Sequence, residues 1–101
     1  EALKVSGDPM ILNLIGKNES AMYRFDSAER YYRKAADRVP SRIYPHYLMV
    51  KLFSYRDNYQ PEKLKEAARM VLTKEPKVPS TAIRQMKEET RKILKEKQIE
   101  L

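Results

Sequence analysis

The sequence predicts an all-α fold of about five helices, arranged as antiparallel helix-turn-helix pairs, and three observations carry that expectation. Six prolines (Pro9, Pro40, Pro45, Pro61, Pro76 and Pro79) divide the chain, and between them apolar residues recur at helical spacing. Only two glycines, Gly7 and Gly16, are available for turns, against 35% charged residues, which speaks against a β-sandwich. At 101 residues the chain fits one small domain, and a hydrophobic content of 42% suffices for a core.

Residues 1–7 are expected to form an N-terminal tail. The first helix should start at Asp8-Pro9, where a carboxylate accepts free amide hydrogens of the first turn and proline forfeits no needed donor. It should run to about Met22 with Ile11, Leu12, Leu14, Ile15 and Met22 on its apolar face, and with Gly16 admitting a neighbouring backbone. Asp26 and Glu29 have capping-box spacing, which places a second helix over Ser27 to Arg38 with the stripe Ala28, Tyr31, Tyr32 and Ala35. It should stop before Val39-Pro40, because the residue before a proline is pushed out of the α region. The third helix begins near Pro45. Tyr47, Leu48, Val50, Leu52, Phe53 and Tyr55 make it apolar over more than one face, which predicts a central position.

A polar turn, Asp57-Asn58-Tyr59-Gln60, precedes a fourth helix from Pro61 to Lys74, whose stripe is Leu64, Ala67, Ala68, Val71 and Leu72. After Glu75-Pro76-Lys77-Val78-Pro79, Ser80 or Thr81 can cap a last helix with Ile83, Met86, Thr90, Ile93 and Leu94 on one side. Beyond Lys95 the helix is expected to fray.

Helix pairs at a fixed period signal a stacked array. Phe25 and Tyr59, each in the turn inside a pair, are 34 residues apart, and Pro40 and Pro76, each closing a pair, are 36 apart. Counted back from the closing proline, Ala28, Tyr32 and Ala35 correspond to Leu64, Ala68 and Val71. In the first pair Leu12, Ile15, Gly16, Phe25, Ala28, Tyr32, Ala35 and Pro40 follow in order, and with them the pair resembles the tetratricopeptide repeat (TPR) family; Glu19 stands where that family usually has an aromatic residue. The resemblance implies two TPR-like pairs, 8–40 and 41–76, stacked as an α-α superhelix and closed by a C-terminal capping helix over 77–101. More narrowly, the runs Arg42-Ile43-Tyr44-Pro45-His46-Tyr47-Leu48 and Lys77-Val78-Pro79-Ser80-Thr81-Ala82-Ile83-Arg84 are similar to helical-repeat tails at the C-terminus of bacterial O-antigen ligase and polymerase-type membrane proteins.

A catalytic centre needs convergent groups, and the inventory is thin: one histidine, no cysteine, and carboxylates spread along helix faces. His46 has no second histidine or cysteine with which to complete a metal site, Glu88-Glu89 reads as a solvated face, and no glycine-rich phosphate loop exists. The expectation is therefore a domain that is not an enzyme and takes no cofactor or metal. The formal net charge is +7, but it is dispersed, with 14 basic and 10 acidic side chains over residues 1–76 and 7 and 4 over residues 77–101. That dispersion argues against a nucleic-acid interface.

The repeat resemblance implies a groove lined by the first helix of each pair. Met10, Asn13, Lys17, Ser20 and Ala21 match its groove-facing positions in the first pair, with Tyr47, Lys51 and Tyr55 offered by the second; Asn13 would hydrogen-bond a peptide backbone and Lys17 would hold a carboxylate. The expected partner is a protein or peptide segment, or another part of a parent chain, with self-association a further expectation. The longest apolar run, Met10-Ile11-Leu12-Asn13-Leu14-Ile15, is far short of the roughly 20 residues a membrane helix needs. The opening Glu1-Ala2-Leu3-Lys4, with no initiator methionine and no signal peptide, suggests a piece of something longer; the O-antigen ligase-type resemblance implies a tether to a bacterial inner membrane, and the net positive charge leans the domain to the cytoplasmic side. The alternative expectation is a basic adaptor for nucleic acid or an anionic membrane surface.

Overall fold

The computed structural model describes residues 8–74 and 80–101. The expected tail, 1–7, and the Glu75-Pro79 link with its closing Pro76 lie outside the described residues. Five α-helices follow one another: α1 (Pro9–Ala21), α2 (Phe25–Arg38), α3 (Tyr44–Ser54), α4 (Pro61–Thr73) and α5 (Thr81–Glu96), with a single 3₁₀ turn at Arg56–Asn58 between α3 and α4. No strand occurs among the described residues, so the all-α expectation holds. Among the described residues, no helix is long and apolar enough to cross a membrane.

The caps explain where the helices begin and end. Asp8 Oδ1 accepts from the Met10 amide at 2.9 Å, and Pro9 opens α1. Ser80 Oγ accepts from the Ile83 amide at 3.2 Å and so starts α5. The expected Asp26-Glu29 capping box does not form. The Arg24 carbonyl instead takes the Ala28 amide, so α2 begins at Phe25 with Asp26 already in its first turn, where its charge favours the amide end of the helix.

The earlier start follows from how α1 stops. The Arg24 amide bonds back to Glu19 O, the Tyr23 amide bonds to Ser20 O, and Tyr23 takes φ 62°, a Schellman closure that hands the chain straight to α2. The same motif closes α5: Ile99 N reaches Leu94 O at 2.9 Å, Gln98 N reaches Lys95 O, and Gln98 takes φ 57°. The fraying expected beyond Lys95 is therefore replaced by a stapled end, with Ile99 packed on the core and Lys97 Nζ 5.0 Å from the Tyr59 ring.

Consecutive helices pack on one another, and α3 touches α2, α4 and α5. The molecule measures 43 × 34 × 19 Å, and its 19 Å thickness is about two helix diameters. The core runs through Tyr32, Leu48, Val50, Phe53, Leu64 and Val71, and Leu94 of α5 joins it. Both trios aligned by the internal repeat are buried: Ala28, Tyr32 and Ala35 in α2, and Leu64, Ala68 and Val71 in α4. Thr90, fully enclosed, returns its hydroxyl to Met86 O at 2.8 Å and leaves no orphan polar atom.

Two expectations for α1 need correction. Leu14 and Met22 were placed on the apolar face, yet both are about half exposed; the side that packs carries Leu12, Asn13 and Gly16. The reason is Gly16. A Cβ there would stand 2.5 Å from Tyr32 Cε1, so the helix presents the glycine side to a tyrosine ring, and the neighbour admitted is that ring, not a backbone.

Candidate functional site

The α1 set and the α3 set expected to line a groove occupy different environments. Met10, Lys17 and Ala21 are exposed, Ser20 is half-buried, and Asn13 is only 3% exposed. Spacings of four, seven and eleven residues from Met10 put Leu14, Lys17 and Ala21 on one outward strip of α1, so Leu14 is a surface residue that sequence reasoning assigned to the core. Asn13 corrects the expectation of an open groove position, because it is buried, with Oδ1 enclosed and without a hydrogen-bond partner among the described residues. A buried acceptor without a donor costs on the order of 1–3 kcal/mol, so Asn13 weighs on the packing of α1 and is not a surface contact.

On α3, Tyr47, Lys51 and Tyr55 follow at four-residue intervals. Lys51 Nζ lies 5.4 Å from the Tyr47 ring, and Tyr44 stacks on Tyr47 with centroids 6.4 Å apart. The Tyr47 hydroxyl donates to Glu89 Oε1 of α5. Burial, and then this carboxylate, push the Tyr47 phenol up to about 12. Tyr47 thus ties α3 to α5 as well as facing outward, a role invisible in the helical spacing.

Tyr55 belongs to a third group. Its ring sits 6.2 Å from Tyr23 and 5.7 Å from Phe25, and Tyr23 and Phe25 meet edge to face at 5.8 Å. This cluster joins the end of α1, the start of α2 and the end of α3, so the C-terminal ends of α1 and α3 lie at the same edge of the molecule. The left-handed backbone of Tyr23 aims its ring there. No hydrogen bond, ion pair or ring contact among the described residues links Met10, Asn13, Lys17, Ser20 or Ala21 to Tyr47 or Lys51.

The opposite layer is knit by charge. Glu29 of α2 receives Arg33 at 2.9 Å and Lys63 of α4 at 3.1 Å. Burial pushes the Glu29 carboxyl up, but hydrogen bonds from Arg33 and Lys63, with their charges, outweigh it and hold it below its ordinary value. Lys87 of α5 donates to Lys74 O at 2.9 Å, just past the last turn of α4, where a cation meets unpaired carbonyls. His46, next to Tyr47 in the chain, is 9% exposed and lines a cavity between α3 and α4. Its imidazole is held below its ordinary value first by burial and then by Lys74 and Arg33.

Among the described residues, no three of histidine, cysteine, aspartate and glutamate gather at one place. No family model, no curated protein and no solved structure matches this chain.

Proposed function

We propose that this chain is a non-catalytic, TPR-like interaction module that holds a protein or peptide segment against the outward faces of α1 and α3. The observation that carries the reading is the uncovered strip of α1, where Met10 and Leu14 are 69% and 54% exposed beside an exposed Lys17. Met10 and Leu14 offer apolar area to the side chains of a bound segment, and Lys17 offers a charge to a carboxylate. The tyrosines and Lys51 of α3 extend that surface with aromatic area and a second cation. Gly16 against Tyr32, and the matching burial of the two repeat trios, support the stacked-pair reading of the scaffold. Its mechanism is positioning: rigid helix pairs present a surface and leave the bound segment chemically unchanged.

The natural setting we propose is the C-terminal region of a larger bacterial membrane protein of the O-antigen ligase type, with the glycan chemistry in its membrane helices and this module beside the inner membrane. An antibody against residues 1–101 used on fractionated cells tests the setting: a large band released only by detergent supports it, and a small band in the aqueous fraction contradicts it. Partner capture tests the binding face. Lys17→Glu combined with Leu14→Ser should abolish capture of a partner that wild type retains at raised salt. Capture that survives both substitutions but disappears steeply with salt favours a basic adaptor instead.

A further inference from the structure

The face of α3 bearing His46, Met49 and Phe53 closes on the face of α4 bearing Lys63, Ala67 and Met70 around a cavity of about 160 Å3. The register of the two helices follows from one contact and two directions. Lys63 Nζ sits 5.7 Å from the Phe53 ring, at the end of α3 and the start of α4. Two antiparallel helices with equal rise then bring His46, seven residues before Phe53, opposite Met70, seven residues after Lys63. Met49 falls opposite the small Ala67, one helical turn from His46 on the same face. One imidazole and two thioethers therefore line the same stretch of the cavity.

We propose that His46, Met49 and Met70 form a binding site for a monovalent soft metal ion, Cu(I). Thioether sulfur is a soft donor that selects Cu(I) over the harder divalent ions, and imidazole suits copper as well. Carboxylate and thiolate donors, which suit calcium or structural zinc, do not cluster among the described residues. Met49 is 3% and His46 9% exposed, so two donors are already shielded from water, while half-buried Met70 leaves an entry. No hydrogen bond among the described residues occupies the imidazole. Lys74 and Arg33 act on His46 as cations, and Asp37 and Glu66 as anions, while Arg33 and Lys63, which also line the cavity, are both engaged by Glu29. A monovalent ion on three neutral ligands adds less charge beside these cations than a divalent ion would.

The test is a titration of the full chain, its methionine methyls labelled with carbon-13, with silver nitrate as the redox-inert probe and then with Cu(I) held reduced by ascorbate. The expected result is one ion per chain, with methyl shifts at Met49 and Met70 and none at Met10, Met22 or Met86. Competition with a chromophoric Cu(I) chelator should then show affinity falling roughly 100-fold in Met70→Leu and in His46→Gln. Leucine nearly conserves the methionine volume, so the fold should survive, and wild-type shift mapping stands even where a variant unfolds. Shifts confined to the exposed Met10 and Met22, an affinity unchanged by Met49→Leu with Met70→Leu, or no uptake of either ion would each overturn the site and leave the trio as core packing.

Discussion

The first and third helices open their respective pairs and are both rich in apolar residues, yet they fare differently. In α1 only Leu12, Asn13 and Gly16 are buried, and Met10 and Leu14 stand in solvent at 69% and 54% exposure. In α3 seven residues, from Pro45 to Phe53, are buried. The difference lies in neighbours. The third helix packs against α2, α4 and α5, while α1 rests chiefly on α2. Apolar content therefore does not fix burial; the number of helices packed around an element does. Among the described residues, α1 keeps apolar area uncovered that α3 does not.

The largest expected effect is on the α3 side. Phe53→Ala should cost about 3–5 kcal/mol in chemical denaturation, because the ring is 1% exposed within the core cluster. A loss no greater than that of a surface substitution would contradict the central place given to α3.

Next comes the α1-α2 contact. Alanine is a better helix former than glycine by about 1 kcal/mol, yet Gly16→Ala must displace the buried Tyr32 ring, an overpacking cost of about 1–3 kcal/mol. The net should be a loss in wild type and a gain in a Tyr32→Leu background. A double-mutant cycle reads the coupling directly, and a Gly16→Ala chain more stable than wild type would sink the contact.

A smaller effect separates by pH. His46 has a folded value below its ordinary 6.5, so stability should fall as pH drops through 6.5, where the unfolded chain gains a proton that the native chain refuses. Glu29 is also depressed, from 4.5, so its contribution is complete above 4.5 and is lost as pH falls through its folded value. His46→Gln should flatten the upper limb alone. Glu29→Gln should flatten the lower limb and cost about 1 kcal/mol at neutral pH. Smallest of all, Leu14→Ser on the uncovered face should change stability by less than about 0.5 kcal/mol.

The helices of this fold were readable because proline, capping residues and apolar stripes act locally. Asp8-Pro9, Pro61 and Ser80 mark starts that depend on a few neighbouring atoms, and the stripes of α2 and α4 point the way they pack. The side of α1 that packs was not readable by apolarity. Leu14 and Met22 are more hydrophobic than Gly16 and Asn13, but only glycine lets Tyr32 approach, and that constraint comes from another helix. The Asp26-Glu29 spacing misled for the same reason: the Schellman turn at Tyr23 starts α2 early, and Glu29 is drawn to Lys63, 34 residues away. The repeat alignment carried a signal for Tyr32 and Gly16, whereas the Tyr47-Glu89 tie and the cavity beside His46 depend on how α5 and α4 dock and leave no mark in spacing.

The measurement that reaches the central claim most directly is site-specific photo-crosslinking in cells, with the crosslinker placed in turn at Lys17 and Lys51 on the proposed face and at Lys34 and Arg69, exposed residues of α2 and α4. A discrete adduct from Lys17 and Lys51, absent from Lys34 and Arg69, is the predicted result. Adducts from Lys34 and Arg69 with none from the α1 and α3 positions would contradict the account and move the binding surface to the other layer.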